Sequence, residues 1–381
     1  MSLTGAFFGW VLVLLTLGGF VAAVWFWPRL GAPRVGPVAA RAGVLVGVNL
    51  LVLLTAAVQL NDQFLFFADW SDLHGALTGT IATTGLHGGG SAQHAAGVAV
   101  PGPAAGAGSD VLAPLPPGSR VQDGVTSYKV TGPLSGITAD VLVTVPVGYR
   151  PADAATRYPV LETFSGYPGS PAQWVKTMHL QSVVAQQVAA HRLGPILAVS
   201  PQLQIPAGND TECVNGPGND PQVETWLTRD VPDWVAAHFR VSAGRGSWAT
   251  IGLSAGGWCA AMAAMLHPAQ YGGAIVMAGY FHPDFGATYD PFPPHSDAAR
   301  RYDLVALVKR SPPPLALWVQ TSHADPLSYA SSAAVLKAAR SPLSVSTVVL
   351  QNAGHRMSIW QNLLPTALAW LGSSLPGFHA R

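Results

Sequence analysis

One stretch, residues 248–259, constrains the fold of this 381-residue chain more than any other. Its sequence, W-A-T-I-G-L-S-A-G-G-W-C, predicts a short strand, a glycine-bracketed serine and then a small-residue helix that includes residues 260–266. Residues 252–256 fit G-x-S-x-G, a pattern typical of a sharp turn from a strand into a helix. The pattern alone is weak in a chain with 41 glycines, but here a strand precedes the serine and a helix follows it, as such a turn requires.

A low charge content indicates that part of the chain lies in a membrane. Only 10% of the residues are charged, 49% are hydrophobic, and the mean hydropathy is positive. Two uncharged runs, residues 5–27 and 42–60, are each long enough to cross a hydrocarbon core of about 30 Å. A cleaved signal peptide is the alternative for the first run, but no basic residue precedes it and no A-x-A site closes it. We therefore expect residues 1–62 to form a two-helix transmembrane anchor.

The charges around these runs predict an orientation. The connection between them carries Arg29, Arg34 and Arg41, whereas the first charges beyond the second run are acidic, beginning with Asp62. Because basic loops stay in the cytoplasm, we expect a two-pass protein of the cell membrane with its large C-terminal part on the extracytoplasmic side. The membrane lipid bilayer is then a partner, whereas a net charge of +1 without a basic field excludes nucleic acid.

Residues 63–120 are predicted to connect the anchor to the following domain. Residues 63–77 mix aromatic and acidic side chains, so they either lie along the membrane surface or form a short helix packed on that domain. Residues 78–120 are dominated by Gly, Ala, Pro and Ser and have too few large apolar side chains to fold alone, which predicts a flexible tether.

Residues 121–381 are predicted to form an α/β domain. Strands alternating with helices indicate a mostly parallel sheet with helices on both faces. The strands are expected at residues 127–130, 137–145, 158–164, 195–201, 248–253, 273–277, 315–320 and 344–350. The helices are expected at residues 174–193, 223–239, 260–266, 331–339 and 359–371.

Three polar residues follow strands of this predicted sheet. A serine hydroxyl is a useful nucleophile only beside a base, which is itself oriented by a carboxylate. In folds with the G-x-S-x-G turn the chain order is Ser, then Asp or Glu, then His. Asp325 follows the strand at 315–320 and His355 follows the strand at 344–350, so both lie at the edge where parallel sheets place their sites. The sequence therefore predicts a catalytic triad of Ser254, Asp325 and His355.

Rivals exist for two of these residues. His323 could be the base, although it shares a loop with Asp325 and precedes it, and Asp297 or Asp303 could be the acid, although no strand end supports them. His267, before Pro268, is interpreted as a helix terminator. The sequence has no H-E-x-x-H motif and no Cys/His cluster, so no metal is expected and no cofactor is implied.

Further residues are candidates for the surroundings of the serine. An oxyanion needs two backbone N–H donors, for which we predict Ala255 and Tyr167, unless residues 165–170 are only a tight turn. Cys213 and Cys259 can form a disulfide in an oxidising compartment or remain two buried thiols. The candidates for substrate contact are Phe285, Phe292 and Trp360.

Five stretches carry a family resemblance: V-T-V-P-V-G-Y-R (143–150), Y-P-V-L-E-T-F-S-G-Y-P-G-S (158–170), V-E-T-W-L-T-R-D-V-P-D-W-V (223–235), G-L-S-A-G-G (252–257) and A-G-H-R-M-S-I-W (353–360). Through them residues 121–371 resemble the putative-esterase branch of the α/β-hydrolases, which includes esterase D-like enzymes and the secreted mycolyltransferases of mycobacteria. Ser165 stands where the family usually has His, and Asp325 where the mycolyltransferases use Glu. The two-helix anchor is similar to that of uncharacterised actinobacterial membrane-anchored esterases.

The resemblance implies an α/β-hydrolase fold behind two transmembrane helices and a serine esterase that acts through an acyl-enzyme. The tether and the aromatics of residues 280–314 favour lipid or cell-envelope esters as substrates, with a proline-rich loop packed on the domain surface as the alternative for those aromatics. Two alternatives stay open. One is an acyltransferase, similar to the mycolyltransferases, that moves the acyl group to a carbohydrate or lipid acceptor. The other is a non-catalytic module that binds the envelope.

Overall fold

The computed structural model describes residues 3–31, 35–64, 66–78, 111–286 and 289–380. They divide into two compact units. The first, here called the helical unit, comprises the described parts of Met1–Thr84 together with His323–Asp325 and Gln351–Arg356. The second, the sheet unit, contains the rest. Most of the predicted tether, residues 79–110, lies outside the described residues.

The helical unit begins with two long helices, α1 (Ala6–Phe26) and α2 (Val35–Phe64), and continues with the short helix α3 (Trp70–Thr78). Segments Phe7–Leu30 and Val35–Gln63 are long and apolar enough to cross a membrane. Most of their side chains are exposed, unlike those of a core helix in a soluble protein. Helix α2 extends beyond the uncharged run at both ends, because Arg41 and Asp62 end the apolar stretch without breaking a helix.

The described residues of the sheet unit form a sheet of nine strands. The strands are β1 (Gly118–Gln122), β2 (Val125–Thr131), β3 (Thr138–Thr144), β4 (Val160–Phe164), β5 (Leu197–Pro201), β6 (Trp248–Leu253), β7 (Gly273–Met277), β8 (Ala316–Ser322) and β9 (Ser344–Leu350). Their order across the sheet is β1-β2-β3-β5-β4-β6-β7-β8-β9. The pairs β1–β2, β2–β3 and β3–β5 are antiparallel, and the remaining neighbours are parallel. The predicted mostly parallel sheet is confirmed.

Helices alternate with the parallel strands. They are α4 (Ala172–Lys176), α5 (Leu180–Ala189), α6 (Val223–Thr225), α7 (Val231–His238), α8 (Ala255–Leu266), α9 (Asp297–Arg301), α10 (Leu304–Arg310), α11 (Pro326–Ala338) and α12 (Met357–Ser374). Between α6 and α7 the residues Trp226–Asp230 form a π-helical turn. Helix α8 is buried at every position from Ala255 to Met265 because its side chains are small and apolar all round. It is therefore a rigid support for the residue that precedes it.

The structure differs from the prediction in several places, of which three bear on the argument. The predicted helix at 174–193 is two helices, since His179 between them takes a left-handed conformation with φ 51°. Strand β1 was not predicted, because it is an edge strand exposed at all five positions and has no apolar alternation. The insertion at 280–314, predicted without regular structure, contains α9 and α10, whose first turns are capped by Ser296 and Asp303.

Candidate active site

Ser254 occupies the turn between β6 and α8. Its backbone angles are φ 57° and ψ −128°, a region that non-glycine residues enter only when the surrounding structure holds them there. Its N–H donates to the carbonyl oxygen of Met277 at 2.9 Å, and its own carbonyl accepts from Gly257 N at 2.8 Å. The side chain is partly exposed. The turn thus presents the hydroxyl from a fixed backbone.

The two glycines of the motif are required by close packing. A Cβ atom on Gly252 would collide with the carbonyl oxygen of Gly256. A Cβ atom on Gly256 would collide with the carbonyl oxygens of Phe164 and Ser165, at the end of β4. The strained serine is therefore held between two backbone segments that touch each other directly.

A small pocket next to this turn contains both predicted oxyanion donors. Ala255 and Tyr167 line it together with Ser165 and Gly166. The loop after β4 is held by helix α4, since Gly166 N donates to Oε1 of Gln173 at 3.2 Å. Ala255 and Tyr167 thus line one concave surface, and the role of their backbone N–H groups as oxyanion donors stays a prediction.

Two residues that sequence reasoning missed line the same pocket. Gln204 is buried and lies with its Nε2 3.5 Å from the carbonyl oxygen of Gly166. Asp210 also lines the pocket, and its pKa is raised by burial and by the negative charge of Asp284. The only signal in the sequence is the polar character of residues 202–221, a loop after a buried strand.

A disulfide and a buried glutamate connect that loop to the rest of the sheet unit. Cys213 and Cys259 are joined, with 5.7 Å between their Cα atoms, so the loop is bonded to α8 five residues beyond Ser254. The neighbouring Glu212 accepts from the Tyr280 hydroxyl at 2.6 Å, and its carbonyl oxygen accepts from Trp258 Nε1 at 2.7 Å. Burial raises the pKa of Glu212 well above its usual value.

Asp325 and His355 are hydrogen-bonded to each other in the helical unit. Nδ1 of His355 lies 2.9 Å from Oδ2 of Asp325. The aspartate side chain is 3% exposed and the histidine 13%. Asp325 comes three residues after the end of β8, and His355 comes five residues after the end of β9. The structure thus brings together the predicted acid and the predicted base, although they are 30 residues apart.

The rival residues have other roles or positions. Asp297 forms an exposed ion pair with Arg300, and Asp303 caps α10 by accepting from Ala306 N at 2.8 Å. His267 follows α8, as a helix terminator should, and its Nε2 lies 2.6 Å from Glu224. His323 is exposed.

The three candidates for substrate contact differ in burial. Phe292 is only 8% exposed and stacks on Tyr302 with 5.4 Å between ring centroids, so core packing alone accounts for it. Trp360 is 5% exposed. Phe285 is half-buried and meets Phe292 edge to face at 5.7 Å. Of the two phenylalanines, Phe285 is therefore the one with surface left for a substrate.

Comparisons with known proteins identify the family and the fold. The Esterase family model, described as putative esterase, matches residues 136–371. Three solved structures share the fold: a ferulic acid esterase (18% identity, TM-score 0.56, 66% of this chain and 98% of that one), the S-formylglutathione hydrolase of Agrobacterium tumefaciens (15%, 0.55, 67% and 98%) and a fluorophosphonate-binding serine hydrolase of Staphylococcus aureus (13%, 0.53, 67% and 99%).

A curated relative extends the likeness over a shorter stretch. Over 122 residues the chain is 31% identical to an uncharacterized protein of Corynebacterium glutamicum. That stretch covers 32% of this chain and 28% of the relative, so the chain spans less than a third of the relative's length. The family model, in contrast, covers more than half of this chain. The chain therefore belongs to the putative esterase family, and its domain over residues 136–371 is a serine carboxylic ester hydrolase of the α/β-hydrolase fold.

Proposed function

We propose that the whole protein is a membrane-anchored, extracytoplasmic serine esterase in which Ser254, His355 and Asp325 act together. The observation that carries the proposal is the 2.9 Å contact between His355 Nδ1 and Asp325 Oδ2. A neutral imidazole that donates from Nδ1 to a carboxylate leaves Nε2 as a proton acceptor, which is the state a general base needs.

The reaction then proceeds in two halves. Nε2 of His355 removes the hydroxyl proton of Ser254, whose oxygen attacks the ester carbonyl, while the N–H groups of Ala255 and Tyr167 stabilise the oxyanion. The ester C–O bond breaks, and His355 returns the proton to the departing alcohol. Water attacks the acyl-enzyme in the same way and releases the acid. Asp325 orients the imidazole and stabilises its charged form.

Two features support lipid or cell-envelope esters as the substrates. The exposed apolar helices α1 and α2 suit an anchor that would keep the site near a bilayer and raise the local concentration of lipid-borne esters. Phe285 offers a half-buried apolar surface in the 280–314 insertion.

The disulfide supports the proposed location. The Cys213–Cys259 bridge suits an oxidising, extracytoplasmic compartment.

Covalent labelling tests the nucleophile. A fluorophosphonate probe should label the full chain at Ser254, and Ser254→Ala should lose the label together with several orders of magnitude of ester hydrolysis. The matched control is Ser373→Ala, which changes an exposed serine on α12. His355→Ala should behave like Ser254→Ala, whereas His323→Ala should not. Wild-type labelling of Ser254→Ala would overturn the assignment.

Substrate preference and orientation need separate measurements. Phe285→Ala should lower the preference for long-chain over acetyl esters roughly five- to tenfold, because about 1 kcal/mol of apolar contact is lost. Val147→Ala, at a side chain 92% exposed, is the control.

The proposed orientation is tested by proteolysis. A recognition site for a specific protease inserted after residue 95 should be cut in intact spheroplasts, and cutting only after lysis would reverse the proposed orientation.

A further inference from the structure

A short segment that follows the second apolar helix contacts the loop that carries His355. This membrane-proximal segment, residues 66–72, lies with Gln351–Arg356 in the helical unit. Its carboxylate at Asp72 accepts from Gly354 N at 3.0 Å, and it receives both terminal nitrogens of Arg356 at 2.5 and 2.6 Å. One carboxylate therefore holds the residue before His355 and the residue after it.

The pair between Asp72 and Arg356 is buried on both sides. Asp72 is 8% exposed and Arg356 is 9% exposed. A bidentate contact between a guanidinium and a carboxylate fixes the relative orientation of the two groups as well as the distance between them. Separating the two side chains would leave a buried charge without its partner, which costs several kcal/mol of free energy, on the order of 3–5. The backbone on either side of His355 is thus fixed by a strong, oriented contact.

Further contacts join the same two segments. Arg356 also donates to the carbonyl oxygen of Phe66 at 3.1 Å, and its guanidinium lies 5.2 Å from the ring centre of Phe67. Asn352 Nδ2 donates to Asp69 Oδ2 at 2.6 Å. The loop therefore contacts the membrane-proximal segment along most of its length.

The membrane-proximal segment is itself fixed to both apolar helices. Asn61, near the end of α2, bonds both backbone groups of Phe67, at 2.8 Å to its N–H and 3.0 Å to its carbonyl oxygen. Phe8 of α1 meets Trp70 edge to face at 5.5 Å. A continuous series of contacts thus leads from the ends of the membrane helices to the residues that flank His355.

We propose that Asp72 is a positioning residue for the catalytic histidine. The proposal rests on the proposed function, in which His355 is the base. Asp325 orients the imidazole through Nδ1, and Asp72 fixes the backbone from which that imidazole projects. Without Asp72 the imidazole of His355 can still accept a proton, but it is no longer held in position. A displacement of about 1 Å at a catalytic group can lower the rate on the order of 100-fold.

The test uses the full chain in detergent or vesicles and a fluorophosphonate probe. Asp72→Asn should slow the labelling of Ser254 and lower kcat roughly 10- to 100-fold with KM changed less than about twofold. Every molecule should still become labelled at long times, and Asp72→Glu should recover part of the rate. Asp140→Asn, which removes an exposed ion pair with Lys129, is the matched control.

A second variant keeps the test decisive if Asp72→Asn folds poorly. Asp72→Asn combined with Arg356→Gln removes both buried charges, so it should fold like the wild type while labelling stays slow. Labelling at the wild-type rate in the double variant would overturn the proposal. A lower labelled fraction at an unchanged rate would also overturn it, because that result describes unfolding alone. If the wild-type chain is not labelled at Ser254, the proposed function fails, and the positioning role falls with it.

Discussion

The two units hold the residues of the proposed triad in different ways. In the sheet unit the backbone fixes Ser254: β6, α8 and the end of β4 touch through glycines, and no side chain could be inserted between them. In the helical unit polar side chains fix His355: Asp325 bonds its ring and Asp72 bonds its neighbours. A serine held by close backbone packing, such as the proposed nucleophile, tolerates little variation around it, whereas the position of a histidine held by polar side chains can be changed by single substitutions.

The largest expected effect tests the packing side of this contrast. Gly256→Ala places a Cβ against the carbonyl oxygens of Phe164 and Ser165, which belong to the backbone and cannot move aside. We expect a loss of roughly 3–5 kcal/mol of stability, enough to leave little folded protein. Gly246→Ala, where the nearest atom would lie 3.8 Å away, should be almost neutral. Thermal unfolding followed by tryptophan fluorescence measures both, and a stable Gly256→Ala protein would break the contrast.

The next effect concerns the covalent part of the sheet unit. Replacing Cys213 and Cys259 by serine removes a bridge that closes a 46-residue separation, which should cost about 2–5 kcal/mol. Part of the cost should be local, because both cysteines line the pocket beside Ala255. Thiol titration of the denatured, unreduced wild type checks the bridge, and two reactive thiols there would contradict it. The melting temperature of the double variant measures its contribution.

A smaller effect is expected from a polar network in the sheet unit, which shows that side-chain contacts also stabilise the unit in which packing holds Ser254. The buried Glu224 bonds His267, Tyr302 and Arg301. Burial alone would raise its pKa, but the hydrogen bonds of His267 and Tyr302 and the charge of Arg301 lower it from 4.5 to about 2.

This shift has a definite sign. A carboxyl group whose pKa is lower in the folded state stabilises the protein above its ordinary pKa, and the contribution is lost as the pH falls from about 4.5 to about 2. We expect Glu224→Gln to cost on the order of 2–3 kcal/mol at pH 7 and much less at pH 3. Melting of the two proteins at both pH values measures the difference. An equal difference at pH 7 and pH 3 would contradict the charge argument.

The smallest effect is expected at the edge of the histidine loop. Asn352→Ala removes the bond to Asp69 but leaves the buried contact between Asp72 and Arg356. Because the asparagine contact is partly exposed, its loss should cost less than about 1 kcal/mol and change kcat less than twofold. The ratio of kcat to KM for a short ester is the measurement. A loss as large as that of Asp72→Asn would mean that the whole loop, rather than the buried pair, positions His355.

Much of the sheet unit could be predicted from the sequence because its signals are local. Strands β7 and β9 lie where apolar and β-branched runs predict them, and the turn at Ser254 follows from glycine spacing. The order Ser, Asp, His along the chain selected Asp325 and His355, and these two are hydrogen-bonded in the structure. Such features depend on residues within a few positions of one another, or on a chain order that the fold imposes.

The tertiary structure decided what the sequence left open. No local pattern in the sequence relates Asp72 to Arg356, which is 284 positions away. Phe292 was a candidate for substrate contact because it is an aromatic residue in the 280–314 insertion, and its stacking on Tyr302 shows that it belongs to the core. A sequence pattern reports which side chains prefer burial, but the free energy of a buried ion pair or ring contact depends on partners that the fold brings together. For that reason the proposed triad could be predicted from the sequence alone, whereas the buried contact between Asp72 and Arg356 beside the proposed base could not.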